Sequence, residues 1–218
     1  IIEKLAADHP EKTIEIFRPN DFYGHACLIK RYCGISDEYA LPAIYPHGIS
    51  TNYNVWKTEL NHPMPFLLLK SETQSAVYSK YCDKPSWIIG APNCYGARLL
   101  NTELTKIRDK AKGTLVFPVH STHHITGGYN VIEFTDYLKG LPDKFGTVTV
   151  CLGWRDIQLK LHQRYASEGF ECTTAGHMFD KDFLLRFLRI LVSKQAVVVN
   201  HLGTAAFYAA AMGIPVHF

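Results

Sequence analysis

Paired cysteines, long apolar runs, basic clusters and the common glycine signatures are all missing from this chain, and each absence removes a class of protein. The six cysteines, at 27, 33, 82, 94, 151 and 172, form no C-x-x-C pair, which argues against a zinc ribbon. Cys151 sits inside an apolar strand pattern and reads as a small core residue, and a reduced setting is the simplest account of the set. No apolar stretch approaches the ~20 residues needed to span a bilayer, and no signal peptide is visible. Charge is nearly balanced, with 23 basic and 20 acidic residues for a net of +3, and no Lys/Arg block marks a nucleic-acid surface. G-x-G-x-x-G, G-x-x-x-x-G-K-[ST] and G-x-S-x-G are absent too. That argues against a standard dinucleotide oxidoreductase, a P-loop NTPase and an α/β-hydrolase.

What the chain does contain is alternation. Its 218 residues suit one large domain or two small ones. In the first part, 1–7 reads as a helix tail and 13–17 as a short strand. Asn20 or Asp21 is placed to cap a helix over 22–32, which Gly34 ends. Strands are expected at 41–45, 66–69 and 86–90, with a helix from Ser71 and Glu72 to about Cys82. The stretch 95–112 reads as a charged linker helix closed by Gly113. In the second part, strands at 114–119, 147–152, 170–175 and 196–199 alternate with helices at 131–138, 156–168, 180–193 and 205–212, and 214–216 starts another strand. Such alternation implies right-handed crossovers and a mostly parallel, doubly wound sheet. The expected division is 1–95, a linker helix at 96–113, and 114–218. The chain begins with Ile and ends on Val-His-Phe without a closing helix, which suggests a fragment cut at both ends.

Chemistry gathers at the carboxyl ends of the second set of strands, where a doubly wound sheet binds its ligand. The first offers His120, Ser121, Thr122, His123 and His124; the second Trp154, Arg155 and Asp156; the third Gly176 and His177; the fourth Asn200, His201, Gly203 and Thr204. Hydroxyls and backbone N–H groups at a helix start hold phosphate oxygens, and Arg155 can neutralise their charge. Plainer readings stand beside this one. Ser121, Thr122, Asn200 and Thr204 also suit ordinary loop and cap positions. His177 also suits a buried, hydrogen-bonded histidine, and Arg155-Asp156 a solvated helix start with Asp156 as cap. The His120-x-x-His123-His124 spacing matches no closed zinc pattern, so no metal site is expected. In the first part, Tyr45-Pro46-His47-Gly48 places a histidine at a strand end beside a glycine. His47 is therefore a candidate general base toward a hydroxyl, or else a structural residue of a Pro-Gly turn.

Several of these stretches together resemble a family. Arg18-Pro19-Asn20-Asp21-Phe22-Tyr23-Gly24-His25-Ala26, Lys30-Arg31-Tyr32 and Pro46-His47-Gly48 are similar to the N-terminal half of bacterial surface-polysaccharide glycosyltransferases of GT-B type. Ile89-Gly90-Ala91-Pro92-Asn93-Cys94-Tyr95 resembles the end of that half. Phe117-Pro118-Val119-His120-Ser121 and Asn200-His201-Leu202-Gly203-Thr204-Ala205-Ala206-Phe207-Tyr208 resemble the donor half. The resemblance implies an α/β protein of two Rossmann-like domains facing across a cleft. The N-terminal domain would lack its first strands and the C-terminal one its closing helix. It implies transfer of a sugar from a nucleotide-sugar to a saccharide or lipid-linked saccharide, with His47 as base. His120, Ser121, Thr122, Arg155, His177, Asn200, His201, Gly203 and Thr204 would lie on the donor. No cofactor, metal or nucleic acid is expected, because helix N-termini and side chains stabilise the leaving diphosphate. The setting implied is cytoplasmic, with peripheral association at the inner membrane face left open. No acidic pair stands at the spacing of retaining members, which points to inversion. The same fold serves UDP-sugar 2-epimerases and glycerophosphotransferases, and a non-catalytic nucleotide-binding module is a further alternative. The strand-end residues are mostly His, Ser, Asn and Thr rather than the carboxylates an epimerase uses.

Overall fold

The computed structural model describes residues 1–8, 14–46, 48, 55–121 and 127–218. In chain order its elements are α1 (Ile2–Ala6), a 3-10 segment (Arg18–Gly24), α2 (His25–Cys33), β1 (Ala43–Ile44), α3 (Lys57–Leu60), β2 (Phe66–Leu69), α4 (Glu72–Tyr78), β3 (Ser86–Ile88), α5 (Pro92–Leu99) and α6 (Asn101–Arg108). There follow β4 (Thr114–Phe117), α7 (Val131–Lys139), β5 (Val148–Cys151), α8 (Trp154–Gln158), α9 (Leu161–Ser167), β6 (Glu171–Thr173), α10 (Phe183–Val192), β7 (Ala196–Val199), α11 (Thr204–Ala211) and β8 (Val216–His217). Every strand pair is parallel among the described residues. The chain is thus an α/β protein built on parallel sheets.

It divides into two compact units. The five-stranded unit comprises Ile1–His9, Leu100–Met178 and Leu185–Phe218. The three-stranded unit comprises Pro10–Leu99 and Phe179–Leu184. The sequence reading kept 1–95 together, but the first residues group with the second half of the chain for a visible reason. Ala6 is fully buried in the core formed by Val116, Val150, Trp154, Ile157, Tyr165 and Val198. The His177 N–H also donates to the Leu5 carbonyl at 2.9 Å. The expected single helix over 95–112 is two, α5 and α6, broken at Leu100 (φ −101, ψ 10), where the two units meet in sequence.

In the five-stranded unit the sheet order is β6-β5-β4-β7-β8. Its central strands are the apolar runs read from sequence, and Leu115, Val116, Val150, Val197 and Val198 have no exposed surface. Such runs are what a parallel sheet covered on both faces requires. Chain order reverses between β4 and β7, which sit side by side from Thr114↔Ala196 to Phe117↔Val199. That reversal creates a crevice at the carboxyl ends of these two strands. The helix expected over 156–168 is split into α8 and α9 at Lys160, whose φ of 63° breaks the helical turn.

The three-stranded unit has the order β1-β2-β3 around a core of Phe17, Ile44, Met64, Leu67, Leu69 and Tyr78. The described part of the expected strand at 13–17 is not a strand. Instead, the buried carboxylate of Glu15 pairs with the Lys30 ammonium at 2.9 Å. Nor is Asn20 or Asp21 a cap: α2 starts at His25, behind Gly24 at φ 72°. Asn20 is fully buried and serves the edge of β1, where its amide donates to the Ala43 carbonyl and its oxygen accepts from the Tyr45 N–H, both at 2.8 Å. A side-chain amide thus supplies the pairing that a neighbouring strand would give.

Candidate functional site

The crevice between β4 and β7 is built by the two polar turns that the sequence singled out. After Phe117 the chain runs through Pro118 and Val119 to His120 and Ser121; after Val199 it runs through Asn200 to Gly203 and into α11. The turns are tied to each other, since the Asn200 side-chain oxygen accepts the Val119 N–H at 2.7 Å. The first turn is also closed on itself. The Gly127 N–H donates to the Ser121 hydroxyl oxygen at 3.0 Å, and a Cβ on Gly127 would lie 2.8 Å from the Val119 carbonyl oxygen. Only a glycine permits that backbone approach.

A residue from the next strand anchors this turn. Asp156, in the first turn of α8 behind β5, is 2% exposed. Its two carboxylate oxygens accept the Ser121 N–H at 3.1 and 3.3 Å, and the Ser121 hydroxyl bonds it as well. Burial holds the Asp156 carboxyl above the ordinary aspartate range, against the opposing pull of Ser121 and the His120 ring. Of the two sequence readings of Asp156, the helix cap does not hold, since Gly153 has the N-cap position. His120 keeps exposed surface, yet the protein packed around its ring pushes the imidazole below its ordinary value. Asp156 pulls in the other direction, and His201 adds to the lowering.

The second turn presents a helix start. Gly203 is the N-cap of α11 in extended conformation (φ −134, ψ −176), with nothing within 4 Å of the place a Cβ would occupy. Thr204 is the first residue of the helix, and His201 is exposed beside it. A helix start carries the positive end of the helix dipole, and here the Ala206 N–H donates to the Gly203 carbonyl at 3.0 Å.

The sequence-predicted residues therefore separate into groups. His120, Ser121, Asn200, His201, Gly203 and Thr204 follow the carboxyl ends of the adjacent strands β4 and β7. Of these, Ser121 and Asn200 have hydrogen bonds that hold the turns in place. Arg155 follows the neighbouring strand β5, and its guanidinium donates to the Gln158 side chain at 3.1 Å. His177 follows the edge strand β6, two strand spacings or about 10 Å from β4. It is 4% exposed, lies against the Trp154 ring at 4.3 Å, and its Nε2 is 3.5 Å from the Asp8 carboxylate. It belongs to the packing of α1, not to the crevice. Thr122, His123, His124 and His47 lie outside the described residues. Among the described residues no cluster of three or more His, Cys, Asp or Glu side chains is arranged for a metal ion. Nor is any helix among them long and apolar enough to cross a membrane.

The three-stranded unit has its own polar group at the same edge of its sheet. Lys70 directly follows β2, and its ammonium donates to the Pro46 carbonyl and lies 4.4 Å from the Tyr45 ring centre. Burial pushes this lysine down to about 8, with Glu59 opposing. Glu59 is 2% exposed and accepts the Tyr78 hydroxyl and the Trp56 N–H; burial raises its carboxyl above the ordinary range. Lys70 obeys the rule that marks the other turns, since it directly follows an apolar strand.

No protein-family model matches the chain, and no curated protein or solved structure matches it.

Proposed function

We propose that this protein is a glycosyltransferase that moves a sugar from a nucleotide-sugar to a saccharide or lipid-linked acceptor in surface-polysaccharide synthesis. The GT-B arrangement of two Rossmann-like domains is part of this proposal, with the donor on the five-stranded unit and the acceptor on the three-stranded unit. The observation that carries it is the crevice at the β4–β7 switch point, flanked by a helix start whose N-cap glycine has open space before it. A diphosphate suits that place, because helix N–H groups and the dipole meet its charge. In the reaction, the acceptor hydroxyl gives its proton to His47 as its oxygen attacks the anomeric carbon. The bond from that carbon to the diphosphate breaks, and the nucleoside diphosphate leaves with its charge held at the start of α11. The site of action would be the cytoplasm or the inner membrane face.

Calorimetry with UDP, CDP and GDP tests the donor site, and binding of none of them rejects the reading. His47→Ala should then abolish sugar transfer and leave nucleotide affinity unchanged; undiminished turnover removes His47 from the chemistry. The buried Asp156 carboxylate at the crevice favours one second reading, a UDP-sugar epimerase, since such chemistry relies on carboxylates. Incubation with the UDP-sugar alone separates the two: an isomer seen by NMR without acceptor establishes the epimerase.

A further inference from the structure

Asp156 poses a problem for the donor site proposed above. A diphosphate brought to the start of α11 would approach a crevice that already holds a buried carboxylate. His120 offers the answer. A methyl group built on Gly153 would lie 3.1 Å from an Asp156 carboxylate oxygen and 3.1 Å from the His120 Cβ, so these two side chains flank one glycine. Among the described residues, the titratable groups that bear on the His120 ring are Asp156 from α8 and His201 from the turn after β7. Arg155, next to Asp156 in sequence, donates to Gln158.

We infer that Asp156 and His120 act as a charge-adjusting pair at this site: the imidazole takes up one proton as a diphosphate binds, with Asp156 positioned to hold the resulting imidazolium. The inference rests on the donor-site reading of the β4–β7 crevice and adds Asp156 to it as a positioning residue. Without ligand, burial and His201 favour the neutral ring and Asp156 alone opposes them. A bound diphosphate adds negative charge on the open side of the ring, and two anions then face one imidazole. The proton brings the pair from a net charge of −1 to zero, which removes the repulsion between Asp156 and the ligand. Asp156 is suited to this because Ser121 holds its carboxylate through both N–H and hydroxyl, in the turn that carries His120. The same hydrogen bonds hold the turn that carries His120, so the carboxylate fixes that turn while its charge acts on the ring.

Titration calorimetry of the whole chain, in two buffers of different ionisation enthalpy near pH 7.5, reads the proton directly. The probes are inorganic pyrophosphate and whichever of UDP, CDP and GDP binds. A terminal nucleotide phosphate has its second pKa at about 6, so the nucleotide itself exchanges few protons there. The expected result is nucleotide binding with uptake approaching one proton, and affinity that falls as pH rises. His120→Gln should bind more weakly and take up no proton. Asp156→Asn keeps an oxygen to accept the Ser121 N–H, and should move the pH of half-maximal affinity to lower values. A purely structural role for Asp156 would leave that pH unmoved. Nucleotide binding without proton exchange, or uptake that survives in His120→Gln, overturns the pair and leaves the donor site standing. Failure of all three nucleotides to bind overturns both, whether or not pyrophosphate binds.

Discussion

Replacing Gly203 with valine separates what the fold needs from what a ligand needs. The Gly203 backbone is extended, at φ −134 and ψ −176, a conformation open to any residue, and a Cβ there meets nothing within 4 Å. Two small effects bear on stability. A β-branched residue is a poorer N-cap than glycine, by up to about 1 kcal/mol. Removing a glycine narrows the unfolded ensemble and returns about 0.4–1 kcal/mol. The net change should stay within about 0.5 kcal/mol, and 1 kcal/mol moves Tm by only about 2–4 °C in a domain of this size. Melting of Gly203→Val should therefore fall within about 2 °C of the parent. Binding should respond differently, because the new methyl groups occupy the open space before the first N–H groups of α11. Losing one or two hydrogen bonds to an anion costs about 1.5–3 kcal/mol, or roughly tenfold to a hundredfold in Kd. Gly203→Ala should fall between the two. Thermal melting and nucleotide calorimetry on the same samples give both numbers. A loss of more than about 5 °C would show that the glycine is structural after all. Unchanged affinity in an intact variant would refute the placement of a diphosphate at this turn.

Other perturbations test the scaffold. Asn200→Ala removes the acceptor of the Val119 N–H and unties the two turns, at a cost of about 1–2 kcal/mol; an unaltered melt would show that this 2.7 Å bond holds nothing. Lys70 sheds its proton near 8 in the folded chain against an ordinary value of 10.5, so between these values the unfolded chain binds more protons and stability rises with pH. The gap is worth on the order of 3 kcal/mol. Denaturant melts from pH 8 to 9.5 should show the rise in the parent and lose it in Lys70→Met, and equal slopes would place the ammonium in water. For Asp156, whose folded carboxyl titrates above its unfolded value, the sign is reversed. Stability falls as pH rises through that window, and Asp156→Asn should flatten the fall when the two proteins are melted from pH 4 to 8.

The two sheets show why some of this structure was legible in the sequence. Apolar runs such as Ala196–Val199 have one stable environment, a parallel strand covered on both faces, and the polar turns after them mark the strand ends. Asn20 was misread because an amide satisfies a helix start and a strand edge with the same atoms. Only the packing of β1 shows which backbone groups lacked partners. The split at Lys160 carried no glycine or proline to announce it. Of the two readings of His177, the buried, hydrogen-bonded one matches the structure. Being at the end of a strand does not put a residue in the crevice, and the chain carries β6 to the edge of the sheet, where α1 covers its histidine.

Composition reveals only part of a site. Strand ends rich in Ser, Asn and His suit a ligand, yet a turn that holds a ligand must first be held itself. Ser121 accepts the Gly127 N–H and bonds Asp156, and Asn200 accepts the Val119 N–H. Both were counted as donor contacts from sequence, and both have hydrogen bonds within the scaffold. Among the described residues, the His120 and His201 rings stand in these turns beside the start of α11. Neither turn carries a lysine or arginine, and Arg155 follows the neighbouring strand β5. A diphosphate there would depend on the α11 dipole and on the proton taken up by the His120 ring. The affinity of this site should therefore weaken as pH rises above neutrality, where a crevice lined with arginine would hold its ligand unchanged.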